Sequence, residues 1–127
     1  MIIFRTRPNH IDEVVRRCMY ALASKPRLVK GELILISQTV VQTKDGIPPI
    51  RYVMEFHSIC VDELKESQKI WGKDWRYIVY GKNCRLLKQP FDMRKIPNLT
   101  RRYGRGGPYV YVAQEDERYL MQQGMLD

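Results

Sequence analysis

The chain has 127 residues, 44% of them hydrophobic, enough for one domain (residues 1–127) with its own core and no need of metals or disulfides to fold. Its 22 Lys and Arg against 14 Asp and Glu give a formal net charge of +8, a balance that favours a polyanionic partner, nucleic acid first. No apolar run approaches the ~20 residues of a membrane-spanning helix, and three scattered cysteines without a CxxC argue against a disulfide framework or a zinc site and for a reducing cytoplasm.

The opening Met1-Ile2-Ile3-Phe4-Arg5 lacks the basic-then-apolar layout of a signal peptide. A first strand is predicted over Ile2 to Thr6, ended by Pro8. Asn9 is placed to cap a helix, with Asp12 in its first turn near the positive helix end. Ile11, Val14, Val15, Cys18, Met19 and Leu22 recur at helical spacing, and Ser24-Lys25-Pro26 closes the helix. Lys30-Gly31 turns the chain into a strand from Glu32 to Thr39, whose apolar centre Leu33-Ile34-Leu35-Ile36 fits a strand covered on both faces.

Lys44-Asp45-Gly46 and Pro48-Pro49 mark a loop before a strand from Ile50 to Ile59. Val61 to Ser67 reads as a short helix or turn. Arg76 to Tyr80 and Cys84 to Lys88 read as two strands joined by a hairpin-like turn at Gly81-Lys82-Asn83. Pro90 and Pro97 bracket a short helix or irregular turn. After the breaker Gly106-Gly107-Pro108 come a strand, Tyr109 to Val112, and a helix with acids in its first turn, Gln114-Glu115-Asp116-Glu117. Strands outnumber helices and mostly follow one another, which predicts an α+β class and a small mixed barrel.

Enzymatic chemistry has little to stand on. No GxGxxG or GxxxxGK[ST] phosphate loop is present, and Gly104-Arg105-Gly106-Gly107 lacks the helix start that would make it a cradle. Cys18 and Cys84 read as small buried side chains, though a Cys–His pair stays open. Asp62 with Glu63, and Glu115 to Glu117, read as solvated helix starts. No cofactor is expected.

Two features point to nucleic acid. Both tryptophans fall within Ile70-Trp71-Gly72-Lys73-Asp74-Trp75. As core aromatics they need no function, but a tryptophan beside Gly, Lys and Asp can present a face to an unpaired base. Trp75 suits the core better and Trp71 a pocket wall. The second feature is the run from Arg94 to Arg105, which carries Arg94, Lys95, Arg101, Arg102 and Arg105 with no acid and includes Tyr103. It reads either as a solvated face or as a phosphate contact.

In order, Arg7-Pro8-Asn9-His10-Ile11-Asp12, then Val29-Lys30-Gly31-Glu32 leading an apolar strand, the segment from Tyr52 through Trp71 and Trp75 to Val79, and the closing Tyr109-Val110-Tyr111-Val112 resemble EVE domains. These are relatives of YTH and ASCH domains in the PUA-like superfamily. The resemblance implies a PUA-like mixed β-barrel of five to six strands flanked by helices, with a pocket for a modified base of DNA or RNA. On the YTH pattern Trp71 is a cage wall, Asp12 accepts a hydrogen bond from the base edge, and Leu22 stands where a first cage tryptophan would be, followed by Ala23. The expected function is a base-reading nucleic-acid-binding module. Its pocket is drawn from Trp71, Trp75, Asp12, Leu22, Ala23 and Ser37, and its phosphate contacts from the basic run. The alternative is a small ASCH-like enzyme acting on RNA or nucleotides.

Overall fold

A computed structural model describes residues 1–38, 49–99 and 109–127. The first strand, β1 (Ile2–Thr6), forms as its apolar run predicts. Helix α1 (Ile11–Arg17) starts at His10 without a side-chain cap, so Asn9 does not fill that role. It is also shorter than its periodicity predicts. Cys18 takes a left-handed φ of 55° and ends it, and Met19–Leu22 become strand β2 instead of a further helical turn. Tertiary pairing overrides the helical spacing here: Met19 to Leu22 pair antiparallel with Tyr80 to Tyr77 of β5 (Tyr77–Asp92).

Strands β3 (Leu33–Gln38) and β4 (Pro49–Val61) follow the predicted apolar runs. Helix α2 (Glu66–Trp71) lies later than the predicted Val61–Ser67. The expected hairpin at Gly81-Lys82-Asn83 does not occur, because β5 runs through it unbroken. Val53 pairs with Arg85 and Glu55 with Lys82, so one extra β5 residue is absorbed there as a bulge, and Asn83 takes a φ of 53°. A single 3-10 turn, Met93–Lys95, sits between Pro90 and Pro97. Strand β6 (Tyr109–Tyr111) and helix α3 (Gln114–Gln122) complete the order. The predicted loop at Lys44-Asp45-Gly46 and the Gly106-Gly107-Pro108 breaker lie outside the described residues.

The sheet order is β2-β5-β4-β3-β1-β6, with β1 and β3 parallel and the other pairs antiparallel. The sheet curls until β1 and β2, four places apart in that order, meet. Phe4 and Tyr20 stack with centroids 4.4 Å apart and planes at 19°, and the Tyr20 hydroxyl donates to the Arg5 carbonyl. Inside the curl lie Ile2, Phe4, Leu22, Ile34, Ile36, Met54 and Ile78, with Ile11 and Val14 of α1 and Trp71 of α2 packed against them. The other face carries Ile3, Leu35, Ile50, Val53 and Leu87 under Met93, Ile96 and Leu120. Each such apolar side chain contributes about 1.5–3 kcal/mol on full burial. This is the mixed α+β half-barrel that the succession of strands predicts.

Candidate nucleic-acid interface

The site is built on the connection from β4 to β5. Asp62 is buried, not a solvated helix start: its carboxylate accepts the Glu66 and Ser67 amides at 2.9 and 3.0 Å and the Ser67 hydroxyl at 2.5 Å. It thereby caps α2 from upstream, since Lys65, at the cap position, takes a φ of 57° and makes no side-chain cap. Burial pushes the Asp62 carboxyl up, but the Ser67 hydroxyl, the two amides and nearby Lys65 outweigh it and leave the carboxyl below its ordinary value. Ser67 Oγ in turn accepts the Trp75 amide at 3.0 Å. A two-step relay, Asp62 to Ser67 to Trp75, therefore fixes the backbone on which the second tryptophan stands. Asp116, another expected solvated acid, is likewise buried and accepts from Asn98 Nδ2 at 3.0 Å.

Trp71 is the last residue of α2 and is 8% exposed. Its Nε1 is buried and finds no acceptor among the described residues. Trp75 is half-buried and meets the Trp71 ring edge-on, with centroids 6.3 Å apart and planes at 83°. His10 also makes a T-shaped contact with Trp75, at 6.3 Å and 89°, and Lys73 Nζ lies 5.2 Å from the centre of the Trp75 ring. Burial, then the charge of Arg7, holds the His10 imidazole below its ordinary value, so it is neutral near pH 7.

Of the six pocket residues predicted from sequence, Trp71, Trp75, Leu22 and Ala23 come together at this end. Asp12 is exposed in the first turn of α1, two residues from His10. Leu22 is fully buried and pairs with Tyr77, which puts exposed Ala23 beside the Trp75–Arg76 segment. Ser37 is fully buried elsewhere: it pairs with Ile50 and alternates with Ile34 and Ile36, which sets it on the Leu35 side of the sheet. Arg94 and Lys95 are exposed on the 3-10 turn, with Arg94 Nη2 3.0 Å from Asp92. Met93 and Ile96 anchor that turn on the α3 side. Arg101, Arg102 and Arg105 lie outside the described residues.

Other participants are not apparent from spacing. Arg76 lies over Tyr77 at 5.4 Å, and Arg27 over Tyr111 at 5.4 Å while its amide donates to the Tyr111 hydroxyl at 2.8 Å. Tyr109 links Tyr111 to Phe4 through edge contacts. These cation-over-ring pairs depend on strand register and loop path, which a linear sequence does not display. Beside the tryptophans a shallow cavity of about 280 Å³ is lined by Lys65, Asp74, Trp75 and Arg76. A neighbouring groove of about 450 Å³ runs along Cys60, Leu64, Glu66 and Tyr80. Burial first, then Cys60 and Glu66, pushes the Tyr80 phenol up to about 12.

The backbone arrangement matches known structures along nearly its full length. An ASCH protein from Zymomonas mobilis superposes with a TM-score of 0.66 at 9% identity, covering 95% of this chain and 93% of that one. Two single-substitution variants of that protein each give 0.68 at 8% identity, covering 95% and 96% of this chain and 96% and 94% of theirs. The chain therefore shares the fold of that ASCH protein. At this identity the likeness is one of fold. No protein-family profile matches the chain, and no curated protein does. Among the described residues, no helix is long and apolar enough to cross a membrane, and no three His, Cys, Asp or Glu side chains converge as a metal site.

Proposed function

We propose that this ASCH-fold chain binds single-stranded nucleic acid, RNA foremost, by stacking an unpaired base on Trp75. The supporting observation is the state of that ring. It is half-buried, held in T-shaped contacts with Trp71 and His10 and through its amide by Ser67, with the ammonium of exposed Lys73 over the ring. An exposed cation–π contact is worth about 0.5–1 kcal/mol, whereas a stacked base is worth about 1–3 kcal/mol. A base therefore displaces Lys73, and the freed ammonium moves to the phosphate beside it.

In this reading Asp12 is an acceptor for the base's amino edge and Ala23 an apolar rim, while Leu22 and Trp71 belong to the buried cluster against which Trp75 packs. A methylated base, as the EVE-like and YTH-like order of elements implies, adds apolar area against Trp75 and Ala23. Ser37, on the other side of the sheet, takes no part. Arg7 and Arg76 hold the adjacent phosphates. Arg94 and Lys95 hold further ones, and Arg101, Arg102 and Arg105 of the same basic run add to the phosphate contacts. These contacts give affinity without sequence information.

Titration of a labelled single-stranded RNA at rising salt tests this. Affinity falls linearly in log–log form, with a slope of about −0.7 per phosphate contact. Absence of binding even at low ionic strength overturns the proposal.

A further inference from the structure

Three sulfur atoms converge at a place the nucleic-acid reading does not use. Cys18 Sγ lies 3.8 Å from Met54 Sδ, and Cys84 packs against the same cluster from the bulge of β5 that faces Met54. The sheet register explains why they meet. Val53 pairs with Arg85 and Glu55 with Lys82, so Met54 faces the bulge formed by Asn83 and Cys84. The Gly81 amide donates to the Cys18 carbonyl at 2.8 Å, which pins the end of α1 to the same stretch of β5. Both cysteines pack, half-buried, against the interior cluster that contains Met54.

The surroundings favour this arrangement at some cost. Cys18 and Asn83, two non-glycine residues with left-handed φ, flank the sulfurs. Such strained positions cluster where surrounding structure holds a functional group in place. A Cβ on Gly81 would lie 2.6 Å from Met54 Sδ and 3.1 Å from Cys18 Sγ, so only glycine leaves the sulfurs their space.

We propose that Cys18, Cys84 and Met54 are the ligands of a soft monovalent metal ion, copper(I). Thiolate and thioether donors select this class of ion over harder divalent ones. A trigonal ion with metal–sulfur bonds of about 2.3 Å holds its ligands about 4.0 Å apart, and Cys18 and Met54 are already at 3.8 Å. On binding, each thiol loses its proton to solvent. Two copper–thiolate bonds and one dative thioether bond form, and no atom changes oxidation state. Burial raises both thiols, Cys84 to about 12, and the ion compensates by replacing those protons.

The test is anaerobic competition between the reduced chain and a coloured copper(I) chelator. The expected result is transfer of one copper(I) per chain, lost in Cys18→Ser and in Cys84→Ser, weakened in Met54→Leu and unchanged in Cys60→Ser. Absence of transfer overturns the proposal, as does transfer undiminished in Cys84→Ser or abolished in Cys60→Ser. Where a variant fails to fold, the wild-type chain still decides. Copper(I) must protect Cys18 and Cys84 from iodoacetamide while exposed Cys60 stays reactive, and equal reactivity of Cys18 and Cys84 with and without the ion refutes the site.

Discussion

Replacing Asp62 by Ala removes the start of the relay that positions Trp75. Three donors lose their acceptor at once: the Glu66 amide, the Ser67 amide and the Ser67 hydroxyl. Loss of a helix cap costs about 0.5–2 kcal/mol, and stranding buried donors of a charged acceptor adds to it, so the expected loss is about 2–3 kcal/mol. For a domain of this size that lowers Tm by roughly 6–12 °C in a circular-dichroism melt. The pH dependence follows from the direction of the shift. The folded carboxyl sits below its ordinary value of 3.8, so its stabilisation is present above that pH and is lost as pH falls through the folded value. The deficit of Asp62→Ala is therefore full near neutral pH and shrinks in acid. A variant that melts with the wild type near neutral pH refutes the relay, and so does a deficit undiminished in acid.

Two further substitutions probe the frame that holds the site. Tyr20→Phe removes the hydroxyl that donates to the Arg5 carbonyl across the closure of the curl, with an expected loss of about 1–2 kcal/mol in urea unfolding; unchanged stability means that the closure rests on the Phe4–Tyr20 stack alone. Gly81→Ala drives a methyl into Met54 and Cys18 and costs about 1–3 kcal/mol by overpacking, whereas a neutral outcome in the same assay shows that the sulfurs have room to move.

The parts of the fold legible in the sequence are those whose signal is local. The apolar runs of β1, β3, β4 and β6 and the acid-led α3 stand where pattern places them, and together they imply the α+β barrel. The misread segments depend on partners distant in sequence. Met19–Leu22 has helical spacing yet is claimed by β5, and Gly81-Lys82-Asn83 has turn chemistry yet is absorbed as a bulge because β4 continues alongside it. The site divides in the same way. Clustering of Trp71 and Trp75 in sequence signals a shared location, but His10 against Trp75, Arg27 over Tyr111 and the sulfur trio arise only when the sheet curls. Asp62 is missed for a related reason. A carboxylate before a helix looks solvated until the turn at Lys65 folds it beneath the first amides.

The most direct test of the account compares wild type and Trp75→Ala for binding a single-stranded RNA by fluorescence anisotropy, with Trp75→Phe as the variant that keeps an aromatic face. Loss of one stacked base, about 1–3 kcal/mol, weakens Kd by roughly 5- to 150-fold, and phenylalanine restores most of it. A Trp75→Ala chain that is still folded and binds within about twofold of wild type contradicts the central claim.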